Sequence, residues 1–472
     1  MVRSMWWVPL MSLCGGIGLG CGEALSELQI QPNPACDISC IVSWSTAQPG
    51  TSAVEFRDDD GHGWIVEDDG QTTEHEVIVV GMHADERYTL QAVSVLEDGG
   101  ELRAEAQVFE TGSLPEAWYA GEVDVFDEAQ VAPGWTLANL ASGIFSPTIV
   151  VMVDLEGEPV WYMQYGEDDG RADIQASFVD GEHVLIGPGV AGGMPIVEVD
   201  LAGRVVWEGP SQPVLDDDNL QDLLADGVMH HALYKLPDGG YLTPVFEFQQ
   251  DVIGDEIWQL DADGQPVWTW NTFDHLEIDL DKIGLLAEWT HANSMALDED
   301  ADALYVNSWN LDQVWKIDRA SGDVVWTLGP GGDFAPDADA AYPWFEGAHS
   351  VELLGPGQLL LYDNGAHGRS FSRLIELHLD EAAMTSEIVW EYPGELAVDD
   401  WYNYSWGDVD VLPDGHLLMN AGNGAQGYSP TRIVELTRDG EIVWQMWWPD
   451  GDQHDARGSF QAERMPALAR PL

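Results

Sequence analysis

Basic residues are scarce in this sequence of 472 residues. It contains 17 Lys and Arg against 84 Asp and Glu, which gives a formal net charge of −67 at pH 7. A surface with this charge repels nucleic acids and the anionic headgroups of lipids. The composition therefore excludes a nucleic-acid-binding protein and restricts contact with a membrane to an attached lipid.

Cysteine is also scarce, with four residues in all. Cys14 and Cys21 lie in the N-terminal run "MVRSMWWVPLMSLCGGIGLGCGEAL", which is too short and too rich in glycine for a comfortable membrane span. Residues 1–23 are typical of a secretory signal, and "GLGC" resembles a bacterial lipobox, whose cysteine is lipidated after cleavage. We expect an exported protein of the periplasm or cell envelope that is lipidated on Cys21, with plain secretion as the alternative.

The two remaining cysteines are Cys36 and Cys40, in "PACDISCIVSW". Two cysteines are too few for a structural zinc site, and their spacing is not that of a C-x-x-C redox motif. An oxidising compartment permits a small local disulfide. The sequence therefore predicts a disulfide between Cys36 and Cys40.

Residues 24–112 predict a small β-sandwich. Five segments alternate or run apolar at strand length between turn residues: "CIVSWSTAQ", "TSAVEFRD", "TEHEVIVVG", "RYTLQAVSVL" and "ELRAEAQVFETG". Trp44 is the expected core tryptophan, and Tyr88 lies where a tyrosine corner is found. The segment resembles a fibronectin type III domain, a likeness that says nothing about chemistry.

A repeat occupies residues 113–472. Six segments end in an apolar residue and a tryptophan after a turn, at Trp161, Trp207, Trp268, Trp326, Trp390 and Trp444. A second hairpin precedes five of these segments, and two hairpins make the four-stranded sheet of a propeller blade. The sequence therefore predicts an all-β chain with a six-bladed β-propeller. The first blade lacks its inner strand, which we expect "GSFQAERMPAL" near the C-terminus to supply.

One position at the head of the inner strands stands out when the first hairpins are aligned on their turns. It holds Asp173, His231, His291, His349 and Gly407. Because inner strands line the central channel, the three histidines are expected to converge at one height, and convergent ionisable groups in a concave site indicate function. Strand alternation is expected to turn His230 away from His231.

Other interpretations of the histidines stay open at this point. They could be coincidental packing between blades, or a three-His zinc site whose distances the spacing does not determine. Two acidic turns, "RDDDGHG" and "DADGQ", lack the ligand series of an EF-hand. We expect no metal and no cofactor.

The stretches around the histidines resemble the bacterial arylsulfate sulfotransferase family. They are "HHALYKLPDGGYL", "EWTHANSMALDEDADALYVNS", "GAHSVELLGPGQLLLYDNGAHGRSFSRLIEL", "AGNG" and "FQAERMPAL", and the resemblance covers most of residues 113–472. It implies an exported enzyme that moves a sulfuryl group from a phenolic sulfate ester to an acceptor phenol without a nucleotide donor. It also implies that His349 is the nucleophile that forms a sulfohistidine, while His231 and His291 bind the sulfuryl oxygens and transfer protons.

One position departs from the family pattern. The family carries an arginine at the end of the strand after H-x-N-S, and Trp309 stands there in this chain. An indole offers one donor and a stacking surface, and it cannot replace a planar charge. The candidates for contacts with substrate are Trp309, Asn293, Asn364 and Arg369, and His367 or Arg464 could also compensate for the missing arginine.

The departure leaves a second class of function open. The alternative is a non-catalytic, surface-anchored propeller that binds a ligand or a protein partner at the mouth of the channel. For the enzyme, the expected partners are a small phenolic sulfate donor and a phenolic acceptor. The oligomeric state is not determined by the sequence, and a homo-oligomer is one alternative.

Overall fold

The computed structural model describes residues 25–115, 118, 120–141, 148–165, 174–188, 196–210, 227–249, 251–279, 282–283, 287–392, 402–422, 431–448 and 458–472. The predicted signal, the lipidation site Cys21 and the inner-strand residue Asp173 lie outside these ranges. Within them, no helix is long and apolar enough to cross a membrane.

The N-terminal part of the chain forms one antiparallel network of seven strands. The strands are β1 (Gln29–Asn33), β2 (Cys36–Arg57), β3 (Gly63–Val79), β4 (Arg87–Val95), β5 (Glu101–Arg103), β6 (Gln107–Glu110) and β32 (Arg470–Pro471). Their order is β32-β3-β2-β4-β5, with β1 paired to β2 and β6 paired to β4. The last strand of the chain therefore returns to the first sheet.

β2 is one long strand where the sequence predicted two. The segments "CIVSWSTAQ" and "TSAVEFRD" are continuous, although the pairing with β3 shifts register between Ser45 and Ser52. Pro49 lies in this stretch and has no N–H for the ladder, which accounts for a bend that does not end the strand. Because β2 and β3 run through the whole network, the predicted fibronectin type III arrangement is not confirmed.

Two predicted landmarks of this domain have the expected surroundings. Trp44 is buried, and its Nε1 donates to Ser94 Oγ at 3.0 Å. The hydroxyl of Tyr88 accepts a hydrogen bond from the backbone N of His83 at 2.9 Å. Both contacts fix aromatic side chains in the core of the domain.

The predicted disulfide between Cys36 and Cys40 is not formed in the structure. Both residues are buried free thiols. Cys36 Sγ accepts a hydrogen bond from the backbone N of Tyr162 at 3.4 Å, in the first propeller blade, whereas Cys40 lies opposite Val79 within the sheet. Burial raises the pKa of Cys36 to about 11 and that of Cys40 to about 12, so neither forms a thiolate near neutral pH.

The rest of the chain forms six four-stranded antiparallel sheets, which confirms the six-bladed propeller. From the inner to the outer strand, the first blade consists of β31 (Ala462–Met465), β8 (Trp135–Ala141), β9 (Thr148–Val153) and β10 (Pro159–Tyr165). The second blade consists of β11 (Ile174–Val179), β12 (His183–Pro188), β13 (Val197–Asp200) and β14 (Val205–Glu208). The third blade consists of β15 (Tyr234–Lys235), β16 (Tyr241–Gln249), β17 (Val252–Leu260) and β18 (Pro266–Asn271). A single helical turn, α1 (Thr272–His275), follows β18.

The second half of the ring has the same plan. The fourth blade consists of β19 (Ala292–Asp298), β20 (Ala303–Ser308), β21 (Gln313–Asp318) and β22 (Val324–Leu328). The fifth blade consists of β23 (His349–Gly355), β24 (Gln358–Asp363), β25 (Arg373–Asp380) and β26 (Thr385–Tyr392). The sixth blade consists of β27 (Asp408–Val411), β28 (Leu417–Ala421), β29 (Thr431–Leu436) and β30 (Ile442–Trp448). An additional strand, β7 (Glu122–Phe126), covers the outer edge of the sixth blade.

The C-terminal strand closes the ring as predicted. β31 pairs with β8 and supplies the inner strand of the first blade, so the ring is joined by residues from both ends of the propeller sequence. This exchange pairs the inner edge of β8, which would otherwise be unpaired.

The repeated tryptophans link each blade to the next. In five blades the indole Nε1 donates to a backbone carbonyl in the turn between the two outer strands of the following blade, at 2.8–3.0 Å. The pairs are Trp161 with Leu201, Trp207 with Ala262, Trp268 with Arg319, Trp390 with Arg438, and Trp444 with Leu155. Trp326 is the exception, because its Nε1 finds no acceptor among the described residues.

Candidate active site

The structure brings the three histidines together in the channel. The ring centroids of His231 and His291 lie 4.6 Å apart, at a steep angle to each other. Phe460 stands at the head of the inner strand of the first blade, and its ring lies 5.7 Å from His231 and 6.1 Å from His349. His231 and His349 are almost fully buried. The predicted convergence at one height of the channel is therefore present.

The backbone at this height is held in an unfavourable conformation. His231, His291, Ser350 and Trp406 have φ values of 52°, 54°, 52° and 63°. The left-handed region is uncommon for residues other than glycine, and its cost is tolerated mainly where a site requires it. The strained residue is the histidine itself in the third and fourth blades, the residue after His349 in the fifth and the residue before Gly407 in the sixth.

His349 has a defined tautomer, because Asn364 is itself fixed. The Nδ2 of Asn364 donates to the carbonyls of Asn403 (2.9 Å) and Trp406 (2.7 Å), so its Oδ1 faces His349. His349 Nδ1 lies 2.9 Å from that oxygen and must carry the proton. The lone pair is consequently on Nε2, which accepts the N–H of Trp406 at 3.2 Å. Burial lowers the pKa of His349 to about 3, so the ring is neutral.

Asn293 is buried and holds the strand of His349. Its Nδ2 donates to the carbonyl of Ala348 at 2.9 Å, and Asn307 Nδ2 donates to the same oxygen at 2.6 Å. Asn307 also donates to Asn293 Oδ1 at 2.7 Å. The two amides thus fix the residue before His349, which is a positioning role.

His230 is closer to His231 than strand alternation predicted. The regular strand begins only at Tyr234, so the alternation argument does not apply to this pair. His230 stacks on Phe246 at 3.7 Å, and its Nδ1 lies 2.8 Å from His231 Nδ1. Its Nε2 lies 3.0 Å from Asp255 Oδ1. The structure therefore places a line of contact from Asp255 through His230 to His231.

The carboxylate in that line is held ionised. Burial alone would raise the pKa of Asp255, but contacts with His230, with the Thr290 hydroxyl and with the backbone N of Ala292 outweigh it and lower the pKa. Thr290 Oγ1 and Ala292 N reach Asp255 Oδ2 at 2.6 and 2.7 Å. Asp255 thus supplies a fixed negative charge behind the histidines.

The pKa values of His231 and His291 shift in opposite directions although their rings are in contact. Burial, and then the neighbouring His291 and His230, hold the pKa of His231 well below its ordinary value. Burial also opposes protonation of His291, but the Glu288 carboxylate 3.0 Å from its Nδ1 outweighs burial and raises the pKa. Two adjacent groups whose pKa values are pushed apart are suited to act as a base and an acid.

Trp309 lies at the mouth of this site, where the family carries arginine. Its ring is 5.6 Å from His291, 4.5 Å from His367 and 5.6 Å from Tyr404. The indole Nε1 is buried without a hydrogen-bond partner. His367 in turn reaches Asp312 Oδ1 at 2.6 Å.

One lysine also belongs to this side of the site. Lys282 Nζ lies 3.1 Å from Asp312 Oδ2, the carboxylate that also binds His367 and accepts from Gly347 N at 2.7 Å. His291, whose pKa is raised by Glu288, and Lys282 are therefore candidates for the positive charge that the missing arginine would provide.

The two arginines considered as replacements are engaged elsewhere. Arg369, predicted as a contact with substrate, pairs with Asp363 and lies over the Phe371 ring at 4.9 Å. Arg464 lies 3.2 Å from Glu435 and over Trp444 at 5.0 Å, between the sixth and first blades. Each guanidinium group is thus paired with a buried carboxylate.

Several residues of the site were missed in the sequence. They are His230 as a neighbour of His231, Asp255, Glu288, Phe460 and Trp406. Asp255 had a usable signal, because an acidic residue inside the apolar strand "VIGDEIWQL" is seldom buried without a partner. Phe460 and Trp406 had none, since their approach to the histidines depends on ring closure and on a loop.

Comparison with known proteins supports the family assignment. Solved structures with similar folds are only remotely similar to this chain. The propeller domain of Cps50 (Swd1) from Myceliophteria thermophila has 12% identity and a TM-score of 0.38, and the match covers 70% of this chain and 90% of that one. Hydrazine synthase from Kuenenia stuttgartiensis has 15% identity and a TM-score of 0.35 over 62% of this chain and 71% of that one. A Bacteroides thetaiotaomicron protein of unknown function has 13% identity and a TM-score of 0.34, covering 89% and 98%.

These structural similarities are too low to carry a functional argument, and no curated protein matches the chain. The family comparison is specific. The model of the arylsulfotransferase (ASST) family matches residues 136–456, which is more than half of the chain and includes all three channel histidines. The chain therefore belongs to the arylsulfotransferase family.

Proposed function

We propose that this protein transfers a sulfuryl group from a phenolic sulfate ester to an acceptor phenol through a sulfohistidine on His349. The observation that carries the proposal is the fixed tautomer of His349. Its Nδ1 proton faces Asn364 and its lone pair is on Nε2, inside the channel. A neutral, oriented imidazole is the form of histidine that can act as a nucleophile.

In the first half-reaction, the Nε2 lone pair attacks sulfur, the bond from sulfur to the phenolic oxygen breaks, and the phenolate leaves. The N–H of Trp406 must then release Nε2, from which it lies 3.2 Å. It stays beside the new N–S bond, where it can donate to a sulfuryl oxygen as an oxyanion-hole donor does. Asn364 keeps the Nδ1 proton and stabilises the charge that develops on the ring.

Proton transfer to the leaving phenolate is assigned to His291. Glu288 raises its pKa whereas that of His231 is lowered, so it is the more readily protonated histidine of the pair. The neutral His231 beside it is suited to accept the proton of the incoming phenol. The acceptor oxygen then attacks sulfur, the N–S bond breaks, and the lone pair returns to Nε2.

The substitution of the family arginine by Trp309 changes how substrate charge is balanced. We propose that protonated His291 and Lys282 share this role, and that Trp309 with Tyr404 stacks against the aromatic ring of the substrate. The two rings are 5.6 Å apart. This arrangement suits an aryl ester better than an alkyl ester, because aromatic pairs add stabilisation beyond buried area.

The test is detection of the covalent intermediate. The purified protein is mixed with 4-nitrophenyl sulfate, quenched and examined by mass spectrometry, and release of the coloured phenol is followed with and without acceptor phenol. We expect a sulfuryl adduct on His349 and turnover that needs the acceptor. His349→Ala should abolish both, whereas His378→Ala, at an exposed position on β25, should change neither.

Turnover that survives in folded His349→Ala would refute the assignment of the nucleophile. If the unmodified protein binds a phenolic sulfate but gives neither adduct nor phenol, the non-catalytic propeller is the correct function. That outcome would also identify Trp309 as the position where the family chemistry was lost.

We also propose that the protein is exported and lipidated on Cys21. The support is the apolar N-terminal run and "GLGC". Metabolic labelling with a fatty acid should label the unmodified protein but not Cys21→Ser. Equal labelling of the two would contradict lipidation at this residue.

A further inference from the structure

A second layer of channel side chains lies three residues beyond the histidine layer. This second layer consists of the residues three positions after His231, His291, His349, Gly407 and Phe460. They are Tyr234, Ser294, Glu352, Asp410 and Glu463. All five of the latter line one cavity of about 120 Å³. The repeat that directs the histidines into the channel therefore directs a second set of side chains as well.

This cavity concentrates carboxylates. Glu352, Asp408, Asp410 and Glu463, here called the channel carboxylates, line it together and come from three successive blades of the ring. In the described part of the chain, none of the four forms an ion pair with Lys, Arg or His, although most other buried acids do. Four unpaired acids in one small cavity repel one another strongly.

A neighbouring hydroxyl also lacks a partner. Ser294 is only 6% exposed, it lines the same cavity, and its Oγ has no hydrogen-bond partner in the structure. Buried polar atoms are nearly always satisfied, so an orphaned oxygen facing a cavity indicates that something binds there. This observation is independent of the acidic residues and points to a ligand that accepts oxygen donors.

We propose that this cavity is a cation site and that it takes one calcium ion. Every side chain with a donor atom around it offers oxygen: four carboxylates, the hydroxyls of Ser177, Ser294 and Ser350, the phenol of Tyr234 and the amides of Gln175, Asn293 and Gln461. Hard cations prefer such a set, whereas zinc prefers nitrogen and sulfur. A volume of about 120 Å³ holds an ion and a few waters, each of roughly 30 Å³.

The spread of the oxygens favours calcium over magnesium. In the described residues, the acidic clusters whose ligand atoms all lie within 4.8 Å of one another are elsewhere, at Asp180, His183 and Glu198 and at Asp414, His416 and Glu435. The channel carboxylates are therefore less tightly gathered. Calcium accepts six to eight ligands at variable geometry and can include waters, whereas magnesium demands a compact octahedron.

The two tighter clusters are already neutralised by basic side chains. Lys235 Nζ lies 2.7 Å from Glu198 and also pairs with Asp180. Arg464 lies 3.2 Å from Glu435. The channel cavity is different, since no Lys, Arg or His among the described residues forms an ion pair with its four acids.

A cation bound in the cavity would balance the charge of the four carboxylates. Burial, followed by the charge of Asp408, raises the pKa of Glu352 to about 7, and burial raises that of Glu463 to about 7 as well. A divalent cation would displace these protons and join the fifth, sixth and first blades beneath the histidines. Its main effect would be on stability, because the cavity lies one layer away from His349.

The experiment uses the full chain, treated with EGTA and dialysed into buffer with high NaCl so that diffuse ion binding is suppressed. Calorimetric titration with CaCl₂ should show one ion bound per chain, and the same addition should raise the Tm. Asp410→Asn and Glu352→Gln should each weaken binding by roughly tenfold or more, because ligand charge sets calcium affinity. The matched control, Asp298→Asn with Asp300→Asn, removes two charges from an exposed cleft and should bind calcium like the unmodified protein.

The two channel variants should also be more stable than the unmodified protein in EGTA, because they remove repulsion, and this separates lost binding from misfolding. The absence of saturable calcium binding in the unmodified protein would overturn the proposal. An equal loss in the surface control would overturn it too, since binding would then reflect net charge. Equal affinity for MgCl₂ and CaCl₂ would overturn the choice of calcium.

Discussion

Asn364→Ala tests whether the orientation of the nucleophile, and not only its presence, is needed. The substitution removes three hydrogen bonds: one from His349 Nδ1 at 2.9 Å, one to the carbonyl of Asn403 at 2.9 Å and one to the carbonyl of Trp406 at 2.7 Å. His349 itself keeps its position on β23. The change therefore separates the tautomer of the imidazole from the imidazole.

The expected size of each effect follows from these contacts. A buried hydrogen bond contributes about 1 kcal/mol net, so three give a loss of roughly 3 kcal/mol in the free energy of unfolding. A wrong histidine tautomer in a Ser-His-Asp triad costs about 10⁴ in kcat. Asn364 is a neutral acceptor, and the N–H of Trp406 still favours a lone pair on Nε2, so we expect a smaller loss of about 10² in kcat.

The assay is release of 4-nitrophenol from its sulfate ester with saturating acceptor, with rates expressed per folded molecule. Asn33→Ala is the matched control. Asn33 is buried, makes three hydrogen bonds (to Ser39 Oγ, to Leu201 O and from Ala35 N) and lies in the N-terminal domain. It should lose a similar amount of stability but keep its kcat. If both variants keep the unmodified kcat, the tautomer argument for His349 is refuted.

Four further predictions concern other parts of the channel. His230→Phe keeps the ring stacked on Phe246 but removes the contact with His231. We expect kcat to fall roughly tenfold, which is the effect of about one oriented hydrogen bond. An unchanged kcat would mean that His230 contributes only packing. Glu352→Gln should raise the Tm in EGTA at pH 8 but not at pH 4.5. Burial raises the pKa of Glu352 to about 7, so the stability that its protonated carboxyl contributes is fully present below about pH 4.5, the ordinary pKa of glutamate, and is lost as the pH rises through 7. The pKa values of the other channel carboxylates are shifted in the same direction. A Tm difference that does not vary with pH would contradict this sign. Removal of residues 458–472 should lower both the Tm and the cooperativity of unfolding, because the first blade loses its inner strand, and calorimetry on the truncated chain checks this. Trp309→Arg restores a planar charge beside His291 and should raise kcat/KM for aryl sulfates by roughly tenfold, the scale of a charge-assisted hydrogen bond; a folded variant with lower activity would show that the indole is needed for binding.

The number of blades was predictable because the repeat is written in the chain. Alternating strands, turn residues and one tryptophan per blade follow from local pattern, and the tryptophans then bridge neighbouring blades through their indole N–H groups. Ring closure by the C-terminal strand was predictable for a related reason: one blade was a strand short and one segment was unassigned. The convergence of His231, His291 and His349 followed from register, since equal positions in successive repeats must lie at equal height.

Predictions failed where the local pattern was not the deciding factor. The expected turn at Pro49 is a bend within one strand, because pairing with β3 continues on both sides of it. Cys36 and Cys40 are close in sequence, but each side chain has its own buried surroundings, and no disulfide joins them.

The sequence by itself determined the class of fold, the height of the histidines in the channel and the family, because these depend on periodicity and on residues close in the chain. Only the tertiary structure decided the chemistry of each group. The protonation of His291 depends on Glu288 and on burial, and the tautomer of His349 depends on Asn364 and on a loop more than forty residues farther along the chain. The channel carboxylates were not singled out in the sequence, since scattered acids in an acidic protein carry no signal until three blades place them around one cavity. Burial and the charges of neighbouring blades set these properties, and neither is defined until the ring closes.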